Sequence, residues 1–322
     1  MPSEKPTAFL QIDVDGLWAV RRCYARSEGD AYHNDPVWSE GIPLSLDLFE
    51  HHNLRASYFL VGRDLLLDHK VEIARSLVAA GHEVANHSFS HRLGLTLLPV
   101  GAIAREILRT EKIMERVGLP APRGFRAPGY DIDSRVLRTV RRLGYAYDAS
   151  ILPTPWSPVM RLADAWLAGQ WQSSKRQFGR IAYARAPRAP YHPDPNRIRK
   201  SARISDATFT EIPVGILPFW QLPLTAATIF ALGPRRVIKG LRTLARRNQS
   251  TLVLLHGIDF VDCTKPLVFA NTTSPAGFNL SVIDKMKRIE PVLQCLAEEF
   301  NVVRADHWTQ AQNPISNHTD SV

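Results

Sequence analysis

A chain of 322 residues with 45% hydrophobic content can bury a large core as one barrel-sized unit or two smaller ones. Its net charge of +9 points to anionic partners, but it has no zinc-finger, aromatic RNA-binding or basic-zipper pattern, so nucleic acid is not expected. Cys23, Cys263 and Cys295 are widely spaced and form no CxxC pair, which excludes a disulfide framework and fits a reducing compartment.

No apolar run precedes the first strand in Met1–Thr7, so no export signal is expected there and the expected location is cytoplasmic. Ala8–Val14 reads as a buried strand, Leu44–His51 as a helix and Ala56–Val61 as a strand. Lys70–Ala80 has helical spacing, with Val71, Ala74, Leu77 and Val78 on one face and a stop at Gly81. Glu83–Asn86 reads as a short strand. Val100–Val117 reads as an amphipathic helix with Ile103, Ile107, Met114 and Val117 inward, closed by Gly118. Gly124–Ala127 and Tyr145–Asp148 read as strands flanking a helix at Ser134–Leu143. Strand–helix alternation at this spacing predicts a parallel sheet or a closed α/β barrel.

From Ile151 to about residue 206 the pattern breaks down. Seven prolines cluster there, and Met160–Arg203 carries ten Lys/Arg against two Asp, so an inserted lid or loop is expected. Regularity returns with a strand at Thr208–Val214, a helix at Pro234–Arg247, a strand at Thr251–His256, a helix at Ile283–Phe300 and a strand at Asn301–Arg304. One domain over residues 1–310 is expected, with a frayed polar tail over 311–322. Val214–Gly233 has no charge, and Pro218 and Pro223 argue against a spanning helix. The helix after it is basic on one side, with Val237, Ile238, Leu241 and Leu244 on the other. Two readings stand: a segment resting on an anionic bilayer, or a buried crossover followed by a solvated helix.

The polar residues fall at strand ends. Asp13 and Asp15 end the first strand, His87 and His91 follow Glu83–Asn86, Arg126 ends Gly124–Ala127, and His256 ends Thr251–Leu255. In a parallel α/β barrel those ends open onto one face, so residues over 200 positions apart would share a pocket. Asp15, His87 and His91 can supply three ligands for Zn2+ or a similar divalent ion, with Co2+, Ni2+ and Mn2+ as alternatives. Asp13 suits a general base that takes a proton from the attacking water, and Arg126 would hold it ionised. A backbone N–H near Tyr130 would stabilise an oxyanion, and His256 would protonate the departing nitrogen. Bland readings exist for each: Asp13 and Asp15 could open a turn at Gly16, Arg126 could be a surface charge, and a lone strand-end histidine is often structural. His51, His52, His69 and His307 have no matching context. His82-Glu83 is not a zinc-protease motif, since position 86 is Asn. No Gly-x-Ser-x-Gly elbow or phosphate loop appears.

These residues resemble the polysaccharide deacetylase (NodB-homology) family. Asn86-His87-Ser88-Phe89-Ser90-His91 matches its His-[Ser/Thr]-xx-His motif, Arg126-Ala127-Pro128-Gly129-Tyr130 its Arg-x-Pro-x-Tyr motif, and Leu255-His256 its last motif. Ala56–Gly62 is similar to the family's second strand. The resemblance implies a distorted (β/α)7-type barrel, carrying here the basic, proline-rich insertion. It also implies Asp13 as base and Asp15 as ligand. The usual adjacent aspartates are split here as Asp13-Val14-Asp15. That spacing resembles a branch with intracellular members, including a deformylase of undecaprenyl-phosphate aminoarabinose. The family's Asp-xx-Trp motif is not evident, and Asp148 in Tyr147-Asp148-Ala149-Ser150 is the expected partner of His256. The expected activity is metal-dependent removal of an acyl group, acetyl foremost, from an N-acylated sugar. The basic insertion and Val214–Arg247 favour a lipid-linked or nucleotide-linked amino sugar at the inner membrane face. Two alternatives remain open. One is hydrolysis of a non-sugar formamide or ureide, which a pocket poor in stacking aromatics and sugar-binding polar groups would favour. The other is a non-catalytic glycan-binding module.

Overall fold

The structure, a computed structural model, describes residues 4–24, 27–168, 178–202, 209–265, 277 and 279–312. Strand β1, Thr7–Val14, is buried along nearly its whole length. It can be buried throughout because strands cover both its edges and side chains pack on both its faces. On one side it pairs with β2, Ser57–Leu60, from Gln11–Ser57 to Val14–Leu60. On the other it pairs with β9, Thr251–His256, from Ala8–Thr251 to Asp13–His256. Beyond β2 come β3 (Glu83–Asn86), β4 (Gly124–Phe125), β5 (Tyr147–Asp148) and β8 (Thr210–Glu211), all parallel. A short strand, β10 (Asn301–Val302), joins the start of β1. The chain after β8 returns to β9, where Gly215 N–H donates to Leu252 O at 2.9 Å and Leu254 N–H to Leu224 O at 2.9 Å. These bonds bring the two edges of the curled sheet together. The fold is therefore the expected distorted α/β barrel of the NodB kind.

Helices α2 (Ile42–His51), α3 (Asp68–Ala79), α4 (Val100–Arg116) and α5 (Ser134–Arg142) follow the spacing of their apolar residues to within two positions. Gly81, Gly118 and Gly144 lie at helix ends with positive φ, where a side chain would be strained. At Gly124 the need is space. A Cβ there would come within 2.0 Å of the Tyr147 ring, so only glycine lets β4 lie against β5.

Several expectations need correction. A helix, α1 (Leu17–Cys23), follows β1 directly. Part of the segment read as irregular is helix α6 (Ser157–Ala168) and an antiparallel ribbon of β6 (Pro193–Asp194) and β7 (Arg197–Ser201). Residues 169–177 and 203–208 of that segment lie outside the described residues. The tail begins later than expected, because α10 runs over Ala305–Gln312; residues 313–322 are likewise outside the described residues.

Most of the uncharged stretch after Val214 folds inward, with Phe219 and Trp220 left exposed. Val214, Ile216, Leu217, Leu224, Ile229 and Phe230 are buried, the last two on α7 (Ala226–Leu232). Among the described residues no helix is long and apolar enough to cross a membrane. The apolar stripe of α8 (Pro234–Arg246), with Val237, Leu241 and Leu244, packs in one cluster with Ile289, Val292, Leu293 and Leu296 of α9 (Val282–Glu299). The bilayer reading needs that stripe free, and the core has taken it.

Candidate active site

Asp13 and Asp15 are two positions apart at the end of β1, so their side chains share one face. Asp15 Oδ1 lies 3.3 Å from His87 Nε2 and 3.1 Å from His91 Nε2. The two histidines are held by the turn after β3, which is over-determined by hydrogen bonds. Gly62 N–H donates to Ser88 O, and Arg63 N–H to Phe89 O. The Ser90 amide and hydroxyl both donate to Glu106 Oε2, and Arg22 donates to His91 O at 3.0 Å. That support permits left-handed backbone at Ser88 (φ 63°) and His91 (φ 47°), a conformation that costs about 1–3 kcal/mol per residue. His87 Nδ1 is 2.9 Å from Arg126 O, an arrangement in which the ring donates at Nδ1 and turns Nε2 toward Asp15. His91 Nδ1 faces the Cys23 thiol at 4.0 Å.

Arg126 is fully buried. Its Nη1 donates to Asp13 Oδ1 at 2.6 Å, its Nε to Ala149 O at 2.7 Å, and its Nη2 to Gln11 Oε1. The guanidinium lies 4.3 Å over the Phe59 ring. Asp13 Oδ2 is left 4.0 Å from His87 Nε2 and 3.8 Å from His256 Nε2. The parallel register that pairs Asp13 with His256 puts those two side by side.

The residues fit a cation. The donor set is two imidazole nitrogens and a carboxylate, and the ligand atoms all lie within 4.8 Å of one another. Asp15 Oδ1 is buried and accepts no well-aligned hydrogen bond from either ring, an orphaned lone pair of the kind a metal satisfies. Burial alone would raise the Asp15 carboxyl, but the two imidazoles overcome it and hold the acid well below its usual range. Burial likewise opposes charge on His91, yet Asp15 outweighs it and raises the ring to about 9; Asp13 and Asp15 raise His87. Metal uptake at pH 7 should therefore release protons, and affinity should rise with pH. Calorimetry of zinc binding in buffers of different ionisation enthalpy measures the release. Proton-neutral binding would show that these imidazoles are not the ligands.

The site opens into a cavity of about 510 Å³ that also reaches Tyr24, Gly129, Tyr130, His256 and Asp259. The family model for polysaccharide deacetylases matches residues 32–147, a span that holds both histidines and Arg126. A peptidoglycan deacetylase of Helicobacter pylori is 28% identical over 131 residues, 39% of this chain and 42% of that protein. A chitooligosaccharide deacetylase of Bradyrhizobium sp. is 31% identical over 151 residues, 44% of this chain and 66% of that protein. A Mycobacterium smegmatis structure described as a candidate polysaccharide deacetylase superposes with a TM-score of 0.62 at 16% identity, over 97% of this chain and 91% of that one. Over residues 32–147 the chain matches the polysaccharide deacetylase, NodB-homology family. It spans about two fifths of the length of the Helicobacter pylori relative, and the Mycobacterium smegmatis likeness speaks to the fold alone.

Within this NodB-type barrel two expected residues take other places. Asp148 makes no ion pair with His256. It accepts from the Ser150 amide (2.9 Å) and hydroxyl (2.8 Å) and pairs in register with Glu211. Both acids are buried, which raises Asp148 and, with Asp148's charge added, pushes Glu211 well above the usual carboxyl range. The carboxylate beside His256 is Asp259, three residues on. Its Oδ2 accepts from His256 N–H at 2.7 Å and sits 3.8 Å from Nδ1. Tyr130 lines the cavity, but its amide is spent on Ala127 O at 3.0 Å, and the Asp131 amide on Pro128 O at 3.3 Å. The tight turn at Pro128–Tyr130 thus spends the Tyr130 and Asp131 amides internally.

Asp259, Gln11, Cys23 and Glu211 were not singled out from the sequence. The Gly257–Phe260 turn around Asp259 was the one available signal, as an acidic residue opening a turn after a strand. Lys285, fully buried on α9, donates to Ile258 O and Val261 O at 2.9 Å each and so clamps that turn. A second possible ligand group, His51, His52 and Glu290, lies on the outer helices away from the barrel mouth.

Proposed function

We propose that this chain is a metal-dependent N-deacylase that removes an acetyl-type group from an N-acylated amino sugar. The observation that carries this reading is the convergence of Asp15, His87 and His91 around the orphaned Asp15 Oδ1, beside an Asp13 gripped by Arg126. The names of the two relatives, a peptidoglycan deacetylase and a chitooligosaccharide deacetylase, support the substrate class. Asp15, His87 and His91 would hold a divalent cation, Zn2+ foremost, which would supply a Lewis acid and lower the pKa of water toward neutrality. Asp13 accepts the proton of the attacking water through Oδ2, while Arg126 and Gln11 fix its other oxygen and orientation. His256 gives a proton to the leaving nitrogen, with its Nε2 facing Asp13 and its Nδ1 facing Asp259. Cys23, Cys263 and Cys295 are free thiols, which supports a reducing, cytoplasmic compartment.

Chelator-treated protein should release no amine from N-acetylated chito-oligosaccharides or peptidoglycan fragments, and added Zn2+ should restore release. Activity indifferent to chelation, in protein that purifies without metal, would end the reading. A second reading, hydrolysis of a non-sugar amide by the same residues, is favoured by the largely apolar lining of the cavity.

A further inference from the structure

The cavity wall differs in character from its catalytic floor. The polar groups come from the ends of β1, β3 and β9. Most of the apolar ones come from the segment after β5 and from the connection between β8 and β9, among them Leu152, Met160, Leu222, Pro223, Ala227 and Ala231. Ala227 and Ala231 lie one turn apart on α7, so they share a face, with buried Thr228 beside them. Both alanines are exposed to the cavity, whereas Ile229 and Phe230 of the same helix are buried in the main core. One side of α7 is anchored, and the other offers a smooth carbon surface with no bulk to fill the space. The apolar character continues outward. Trp156 and Trp220, joined by an indole N–H to carbonyl bond of 2.7 Å, are exposed on the same two segments.

Among the described residues, and apart from those of the proposed mechanism and Tyr130, the polar side chains lining the cavity are Cys23, Tyr24, Thr225 and Thr228. A sugar ring pressed against this wall would leave hydroxyls without partners, a loss that selects against it. An acetyl methyl alone would leave most of the wall facing water. We propose that the cavity takes an aliphatic chain attached next to the scissile amide, with Ala227 and Ala231 setting its length. The inference rests on the deacylase reading. The chain could belong to the acyl group or to the amine-bearing portion, and the experiment separates the two.

The test compares kcat/KM of the zinc-loaded full chain on N-acetylglucosamine, N-octanoylglucosamine and octyl N-acetylglucosaminide, below micellar concentrations. Each buried methylene favours binding by about fourfold, so at least a tenfold gain is expected for one of the two long-chain compounds, and which one identifies the side. The double variant Ala227→Leu, Ala231→Phe should cut that chain-to-acetyl ratio at least tenfold. Two probes that cannot turn over, octanoate and octyl glucoside, give a readout independent of catalysis. Calorimetry should find one of them at least tenfold tighter than acetate or glucose, with the advantage lost in the double variant. No gain from either chain, or equal chain affinity in wild type and variant, would overturn the proposal. If no substrate releases amine but a chain probe still binds in a manner sensitive to Ala227 and Ala231, the cavity assignment stands and the deacylase reading falls.

Discussion

Asp13→Asn should lower kcat/KM by about 10²–10⁴-fold, the usual worth of a general base, with metal content unchanged. The reason is geometric. Asp13 Oδ1 belongs to Arg126 at 2.6 Å, and Oδ2 is the oxygen that faces His256 and the ligand cluster. Asparagine keeps an acceptor for Arg126 and nearly the same shape, but it cannot take a proton. Asp15→Asn should behave differently, losing metal as well as rate, because Asp15 Oδ1 is the atom both imidazoles converge on. Metal analysis alongside steady-state kinetics separates the two. If Asp13→Asn keeps its rate, Asp13 is not the base; if it loses its metal, the division of labour between the two aspartates is wrong. A melting curve is a needed control, since Asp13→Asn leaves the fully buried Arg126 without its carboxylate.

Lys70→Met should destabilise the fold by about 3–5 kcal/mol, the cost of breaking a buried ion pair from one side. Lys70 Nζ lies 2.7 Å from Asp35 Oδ2 and 2.6 Å from Asp64 Oδ1, and all three side chains are fully buried. Asp64 also accepts from Trp18 Nε1 at 2.8 Å, and Asp35 from the amides of Leu17 and Val37 at 3.0 and 3.1 Å. Two carboxylates on one ammonium are over-supplied with negative charge. Burial, partly offset by Lys70, raises Asp35 to about 6. A raised acid binds its proton more tightly folded than unfolded. Its contribution is therefore present below the ordinary value of 3.8 and is lost as pH climbs through about 6. Without Lys70 that window moves up, so the variant should lose more stability at pH 8 than at pH 5. Urea unfolding at both pH values measures the difference, and equal or greater variant stability at pH 8 would reject the charge argument. The effect should reach the site, because the triad pins Leu17 and Trp18 directly behind Asp15. A Cβ on Gly16 would come within 2.6 Å of Asp35 Oδ2, so that turn has no slack.

Much of this molecule can be read locally. Ala8–Val14, Lys70–Ala80 and Val100–Val117 announced themselves by periodicity, and Gly81, Gly118 and Gly144 closed helices where the chain turns left-handed. The spacing of His87 and His91 was sufficient to pick both out, because one turn supports both rings. The bilayer reading of Val214–Arg247 shows where local reading stops. An apolar run followed by an amphipathic basic helix looks the same whether the partner is lipid or α9, and the packing of Val237, Leu241 and Leu244 against α9 identifies it. Asp148 shows the same limit. It ends a strand, as the other site residues do, but its strand pairs with β8, so Glu211 and Ser150 claim it.

The strand–helix alternation, the polar strand ends and the candidate trio Asp15, His87 and His91 were thus legible in the linear chain, since each residue is picked out by its own few neighbours. The facing of Asp13 to His256, the choice of Asp259 over Asp148, the Lys70 triad and the apolar wall along α7 were settled only when the sheet curled and the helices packed on it. These join residues from 3 to more than 200 positions apart through strand register, helix packing and turn geometry. No local propensity encodes register or packing, because both are properties of two segments at once.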